Sequence, residues 1–367
     1  MRFTILKSNF NDVVSRAAHI IPRRPTQPIL NGVLIKTGED GIEVSATDYE
    51  TSVTVKTPAT VDEPGRALIP GRLITSIAAR LPAKPVEVAL QGDKLIVKAG
   101  SARFEIPTMN ADEYPALASL PTHVGDIDGD LLASMVKGTG VAVANDDALP
   151  ILTGVLVEGL EGQISMVATD RFRLAKRESE WNGNDFSALI PAVSLAEVAK
   201  GAAGAEVAVY GSESTLGMST GGFSIVSRLI DGRFPDWRRL MPVKFTGRID
   251  NIDRNEVTDV IKRIQVVAPD AHIRVEANNG GLCISAMGAN GESARETIAC
   301  DTLGENVDFA VNPGYLLSAV STMPTPEISI GFQGELKPIT VFAHDTQATG
   351  LENVPHEDLT IVMPVRS

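Results

Sequence analysis

The chain has 367 residues, is 43% hydrophobic and carries a formal net charge of −13. At roughly 100–200 residues per domain this length suits two to four domains, and the acidity argues against a uniformly basic, nucleic-acid-coating surface. Cys283 and Cys300 are too few for a disulfide framework or a C-x-x-C site, and no stretch approaches the ~18 apolar residues of a membrane span.

The N-terminus, MRFTILKSNFNDVV, lacks the continuous apolar run of a secretory signal, so a soluble cytoplasmic protein is expected. A first helix is expected over SNFNDVVSRAAHII. Phe10, Val13 and Val14 recur three and four apart, and Ser8 stands where an N-cap would. Residues 28–48 follow as PILNGVLIKTGEDGIEVSATD. Leu68-Ile69-Pro70 then leads into a second amphipathic segment, GRLITSIAARL. VEVALQGDKLIVKA alternates with period two around a Gly-containing turn and reads as a hairpin. ADEYPAL closes this stretch as a corner.

The same order then repeats. DGDLLASMVKGTGVAV supplies a helix with Leu132, Met135 and Val136 on its apolar face and Asp130 as its candidate cap. Residues 150–170 read PILTGVLVEGLEGQISMVATD, a constant 122 positions after the first copy. Leu189-Ile190-Pro191, AVSLAEVAKGA, EVAVYGSESTLGMST and the corner DGRFPDW complete the unit. A weaker third copy fills the remainder. RNEVTDVIKRIQVVA is its first helix, AHIRVEANNGGLCISAMG a strand pair and FAVNPGYLLSAVSTM its second helix. Pro313 lies 122 positions after Pro191. EISIGFQGELKPITVFA is the last hairpin and LTIVMPVRS the final strand, whose proline suits an exposed sheet edge. Such a repeat decides the fold. Three units are expected at 1–120, 121–245 and 246–367. Each is α+β with antiparallel sheets, because its helices are separated by meandering strands and not by βαβ alternation.

Charge is unevenly distributed. Residues 7–24 hold Lys7, Arg16, Arg23 and Arg24 against Asp12 alone, and residues 71–84 hold Arg72, Arg80 and Lys84 with no acid, so each segment is net +3. Enzyme readings fare poorly. His19, His123, His272, His344 and His356 show no metal-ligand spacing, GDKLIVKAGS lacks the Gly-Lys-Ser of a phosphate loop, and GANGES has no strand-to-helix context. A hydrolase built on Thr169-Asp170 fails because Thr47-Asp48 repeats it without a convergent base. Each Thr-Asp is expected to end a strand at a turn, the carboxylate accepting from nearby backbone amides.

RRPTQPILNGVLI, ATDRFRLA, RFPDWRR and the terminal IVMPVRS, in this order and over the whole chain, closely resemble the bacterial DNA polymerase III β subunit, the sliding clamp. The resemblance implies three processivity-fold (DNA clamp) domains in a head-to-tail dimeric ring. Helices would line a central hole and antiparallel sheets would form the outside. It implies a non-catalytic processivity factor with no cofactor and no metal. The partners implied are itself, double-stranded DNA, the DNA polymerase III α subunit, the clamp loader δ subunit and other proteins carrying clamp-binding motifs, with no membrane. The resemblance places Arg24 and Arg72 near the duplex, and Arg23, Lys7, Arg80 and Lys137 complete the expected DNA-facing set.

The implied partner-peptide pocket takes Leu152, Thr169, Arg173 and Leu174 from the second unit and Pro235, Arg239 and Leu240 from its end. Asn312, Tyr315, Met363, Pro364, Val365 and Arg366 come from the third. On residue type alone Leu152 and Leu174 read as core. A methionine with branched aliphatics would make an adaptable wall for varied peptides. Two departures adjoin this pocket: Arg171-Phe172 stands where Gly-His or Ser-His is familiar, and the chain ends in Ser367 where leucine is common. At the ring joint, Phe104 would meet Val266 and Val267 of the partner subunit across paired edge strands.

Overall fold

The computed structural model describes every residue except 23, 147, 270, 279–280, 335–336, 345–349, 353 and 366–367. The first third runs β1 (Arg2–Ile5), α1 (Lys7–Ala18), β2 (Gly32–Thr37), β3 (Gly41–Thr47), β4 (Thr51–Pro58), β5 (Thr60–Glu63), β6 (Arg66–Pro70), α2 (Gly71–Arg80), β7 (Val86–Gln91), β8 (Lys94–Ala99) and β9 (Ala102–Pro107). The second runs β10 (Thr122–Asp128), α3 (Gly129–Gly140), β11 (Gly154–Leu160), β12 (Gln163–Thr169), β13 (Arg173–Glu180), β14 (Phe186–Pro191), α4 (Ala192–Lys200), β15 (Glu206–Gly211), β16 (Thr215–Thr220) and β17 (Phe223–Arg228). The third runs β18 (Gly247–Asp253), α5 (Arg254–Val267), β19 (Ile273–Asn278), β20 (Gly281–Met287), β21 (Ser293–Ile298), β22 (Asp301–Gly304), β23 (Val307–Val311), α6 (Pro313–Ser321), β24 (Glu327–Phe332), β25 (Ile339–Ala343) and β26 (Leu359–Val362). The expected repeat is present element by element, save that among the described residues the second third has no counterpart of β5 and β22.

Every strand pair among the described residues is antiparallel. Two compact units emerge, and each crosses a boundary of the repeat: Met1–Gly129 with Glu197–Leu229, and Asp130–Ala196 with Ile230–Ser367. The first unit holds a five-stranded sheet, β5-β1-β7-β8-β9, and an eight-stranded one, β10-β15-β16-β17-β4-β3-β2-β6. The second holds a nine-stranded sheet, β14-β11-β12-β13-β26-β25-β24-β18-β22, and a four-stranded one, β21-β20-β19-β23. Both long sheets are made by joining two thirds: β17 pairs with β4 and β26 pairs with β13.

The helices bury the stripes their sequences announce. Phe10, Val13, Val14 and Ala17 of α1 are buried, as are Val257, Val260, Ile261 and Ile264 at the same positions of α5. Each such aliphatic side chain contributes about 1.5–3 kcal/mol when removed from water. In the second unit α5 and α6 share one core with Ile249, Ile328, Ile330 and Val341 of the sheet.

Two cap expectations are corrected. α1 begins at Lys7 with Leu6 at its cap position and no side-chain cap, which puts Ser8 inside the first turn. α3 begins at Gly129, which likewise puts Asp130 inside the helix. In both cases the strand runs almost directly into the helix, so the helix has already begun when the candidate cap is reached. α5 and α6 are capped by side chains: Asp253 accepts from Asn255 N and Glu256 N, and Asn312 accepts from Gly314 N and Tyr315 N. The final strand is also corrected. β26 lies between β13 and β25 inside the nine-stranded sheet, and Pro364 falls beyond its last residue, because a residue without an N–H cannot serve a ladder on both sides.

The corner ADEYPAL closes on Tyr114. Its hydroxyl donates to Gly32 O at 3.0 Å and accepts from Thr47 N at 3.0 Å. Burial pushes this phenol up to about 12.

Candidate functional site

The two Thr-Asp turns are superimposable in their bonding. Asp48 Oδ1 accepts from Glu50 N (3.0 Å) and Thr51 N (2.7 Å), while Thr47 Oγ1 accepts from Tyr49 N (3.2 Å). Asp170 Oδ1 accepts from Phe172 N (3.0 Å) and Arg173 N (2.9 Å), while Thr169 Oγ1 accepts from Arg171 N (3.2 Å). The bend leaves Tyr49 and Arg171 at φ +79° and +78°, a left-handed conformation that the carboxylate and hydroxyl bonds hold in place. Asp170 is thereby occupied as a structural acceptor, as the sequence suggests, and not as a reactive group.

At the second turn this geometry builds a cleft. Asp170 Oδ2 receives Arg173 Nε at 2.9 Å, and the Arg173 guanidinium donates to Ser318 Oγ at 2.7 Å and lies 4.5 Å from the centre of the Tyr315 ring. Phe172 stacks on that same ring, centroids 6.2 Å apart and planes 26° apart, with half its surface still in solvent. Tyr315 is fixed from behind by the Asn312 cap of α6. The 3-10 turn Pro150–Leu152 brings Leu152 in as a buried wall residue, its carbonyl accepting from Ala144 N at 2.9 Å. The cleft has a volume of about 380 Å³, lined by residues 143–146, Leu149, Leu152, Asp170–Arg173 and Tyr315. A short chain segment with one or two apolar side chains fits such a space.

Of the pocket candidates, Leu152, Arg173 and Tyr315 line this cavity. Thr169 and Asn312 support it as turn and cap. Met363 N donates to Phe172 O, and Val365 N to Ala310 O, both at 2.8 Å, so the tail runs alongside the cleft with the Met363 side chain exposed. Pro364 lies half-buried between them, and Arg366 is outside the described residues. Leu174 is buried in a neighbouring apolar cluster with Phe234, Trp237, Phe342 and Ile361. Pro235, Arg239 and Leu240 flank that cluster's Trp237. Arg239 is exposed and ion-paired to Asp236 at 2.8 Å, and Leu240 is also exposed. Sequence reasoning did not assign Phe172, Arg171, Leu149 or Asp146 to the site. The departure at Arg171-Phe172 was the available signal for the first two.

In the other unit α1 and α2 pack as an antiparallel pair. Lys7 Nζ reaches Ala79 O at 3.5 Å, and Arg72 donates to Pro22 O at 2.8 Å, which ties the start of α2 to the segment carrying Arg24. Arg24, Arg72 and Arg80 are exposed, Arg80 folding back on Ser76 O at 3.2 Å. Arg23 is outside the described residues. Lys137 is exposed on α3. Phe104 is 37% exposed on β9, the last strand of its sheet, while its neighbour Ile106 is buried. Val266 is 81% exposed at the end of α5, and Val267 is half-buried.

Among the described residues no helix is long and apolar enough to cross a membrane, and no group of three His, Cys, Asp or Glu could hold a metal ion.

Three antiparallel α+β repeats joined through their sheets, with basic residues on the first pair of helices and a cleft beside the second Thr-Asp turn, are the architecture of a DNA clamp. Residues 1–118, 126–236 and 238–354 match the N-terminal, central and C-terminal domains of the DNA polymerase III beta subunit, and the chain belongs to that family. It is 32% identical to the beta sliding clamp of Streptomyces coelicolor over 349 residues, 92% of this chain and 93% of the relative. It is 33% identical to the beta sliding clamp homolog GriR of Streptomyces muensis over 332 residues, 88% of each. The crystal structure of the sliding clamp from Bacillus subtilis superposes with a TM-score of 0.90 at 26% identity, covering 100% of this chain and 99% of that one. The clamp from Pseudomonas aeruginosa bound to griselimycin gives 0.89 at 25% identity, with 100% of both chains covered. The protein is accordingly a processivity clamp, a non-catalytic accessory subunit of DNA polymerase whose family implies DNA, polymerase partners and self-association.

Proposed function

We propose that two copies close head to tail into a ring around duplex DNA, and that the cleft beside Phe172 receives clamp-binding peptides. The partners are the polymerase III α subunit, the clamp loader δ subunit and other proteins carrying such motifs, met in the cytoplasm on the nucleoid. The division into domains is 1–120, 121–245 and 246–367, supported by the gaps between β9 and β10 and between β17 and β18.

One observation carries the ring. Inside the chain the last strand of each later third, β17 or β26, pairs with the strand that follows the Thr-Asp turn of the third before it, β4 or β13. The same two positions at the chain's ends are β9 and β21, and each is the terminal strand of its sheet. A second copy satisfies both at once. Ile225 faces Val53 at one internal junction and Thr360 faces Ala175 at the other. The equivalent register sets Phe104 opposite Ala294 of the partner subunit, on the strand face that looks toward α5 with its exposed Val266 and half-buried Val267. Backbone pairing then removes two open edges, which is the usual fate of a well-formed edge.

The charge distribution suits sliding. Phosphate contacts carry little sequence information and give weak, salt-dependent binding. Arg24, Arg72, Lys7, Arg80, Lys137 and Arg23 would supply these contacts, while the net charge of −13 keeps other surfaces off DNA. Retention then comes from topology and not from affinity. The test is retention itself. A dimer near twice 38.9 kDa, once loaded by its clamp loader on circular duplex, should survive a high-salt wash and be released when the circle is cut. Release from the intact circle at the same rate would refute encirclement.

A further inference from the structure

The tenth residue of the first helix in each third is Arg16 in α1, Gly138 in α3 and Arg263 in α5. The junction strands β4, β13 and β21 can be aligned through Ser52, Leu174 and Ser293, each of which faces the last residue of the preceding strand. Three residues further along stand Val55, Arg177 and Glu296. A guanidinium fills the notch between these helix and strand positions in every third, but it arrives differently each time.

In the first third it comes from the helix: Arg16 lies 4.3 Å from the centre of the Phe223 ring, on the strand that pairs with β4. In the second it comes from the strand. Arg177 is buried and donates to Leu359 O at 3.0 Å, on the strand that pairs with β13, while Gly138 provides the room. A Cβ at Gly138 would lie 2.3 Å from Arg177 Nε. In the last third Arg263 grips Glu296 through Nε at 2.9 Å and Nη2 at 2.7 Å. Two of the notches are thus sealed by a strand of the following third. The remaining one faces the end of a sheet, with Arg263 57% and Glu296 35% exposed.

We propose that the Arg263–Glu296 pair is the polar latch of the self-association surface, covered by β9 of a second copy of this chain. The inference rests on the head-to-tail reading above. The register that sets Phe223 against Val55 sets Ala102 of the partner subunit against Glu296. Where Phe223 offers Arg16 a ring to lie on, an alanine offers only a methyl group, so this guanidinium must bring its own counter-ion. Keeping that counter-ion on the same protomer has a consequence for a joint that opens and closes. The charge is paired in both states, and neither opening nor closing strands it. An arginine left without its glutamate under the covering strand would be a desolvated, uncompensated charge.

The experiment measures dimer dissociation by sedimentation for Arg263→Met, Glu296→Gln, the double variant Arg263→Met/Glu296→Leu and Phe104→Asp, with far-UV spectra confirming that each folds. Each single latch variant should weaken the dimer at least tenfold, and the double variant should return to within about threefold of wild type, because an apolar pair of similar volume leaves nothing unpaired. Single variants that dimerise like wild type while Phe104→Asp falls apart would overturn the latch and leave the joint standing. A double variant as weak as the singles would also overturn it. If Phe104→Asp dimerises as tightly as wild type, the joint itself is misplaced, and the latch with it.

Discussion

The backbone amide of Met363 donates to the carbonyl oxygen of Phe172 at 2.8 Å, fastening the chain's tail to the residue whose ring is stacked over the cleft. This bond extends the β13–β26 pairing by one step past Arg173 and Val362. The Phe172 ring of the aromatic shelf and the adjustable Met363 side chain are therefore set by one stretch of sheet, while Tyr315 comes from α6. A peptide bound as proposed would meet both.

Removing residues 363–367 should spare β26, which ends at Val362, and the fold with it. The variant loses the Met363–Phe172 bond and the Val365–Ala310 bond. Because a few anchors dominate peptide affinity, titration with a polymerase-derived clamp-binding peptide should show at least a tenfold loss, about 1.4 kcal/mol. Undiminished binding by a dimeric truncation would put the peptide elsewhere.

Replacing both Arg24 and Arg72 by alanine should weaken DNA binding about equally on every duplex. Each lost phosphate contact should flatten the salt dependence by roughly one unit of slope. Salt titrations on two unrelated sequences check it, and a loss confined to one sequence would contradict a non-specific lining.

Phe104→Asp should dissociate the dimer by several kcal/mol while leaving the protomer folded, since the side chain is already part-exposed in a single chain. Loss of the far-UV spectrum instead would show Phe104 to be an internal core residue.

Tyr114 makes alkaline stability informative. Its phenol titrates near 12 when folded and near 10 when unfolded, so the folded state holds the proton more tightly. That contribution is complete below pH 10 and is lost as pH rises toward 12. Tyr114→Phe should cost about 1–3 kcal/mol at neutral pH, because Thr47 N and Gly32 O lose their partner. Thermal unfolding of the variant should show a shallower decline between pH 10 and 12, and an unchanged decline would disconnect it from this residue.

Gly138→Ala should destabilise the protein, although alanine is worth up to about 1 kcal/mol over glycine inside a helix. The new methyl would displace a buried arginine held by Leu359 O and Thr322 O, at about 1–3 kcal/mol. A rise in melting temperature would mean that the Arg177 notch is softer than its bonds imply.

Much of this is legible in the sequence alone. The repeat of Pro-Ile-Leu and Ala-Thr-Asp, the helical stripes from Phe10 to Ile264 and the hairpins at Gly92 and after Tyr210 are local patterns. Backbone geometry and side-chain period translate them directly, and the Thr-Asp turns carry their own hydrogen-bond partners within four residues. Ser8 and Asp130 misled because each helix follows its strand almost directly and has begun before that residue is reached.

What the sequence determined by itself was the repeating unit: its elements, their order and their antiparallel class, all set by interactions between near neighbours in the chain. Tertiary structure alone decided which strand ends were left open. Whether LTIVMPVRS is an edge or a central strand depends on β13 arriving from the preceding third, which no periodicity within the segment records. The same holds for the cleft. Phe172 becomes a shelf only when α6 presents Tyr315, and Leu174 becomes core only when Trp237 and Ile361 cover it, because burial is a property of what long-range pairing brings together.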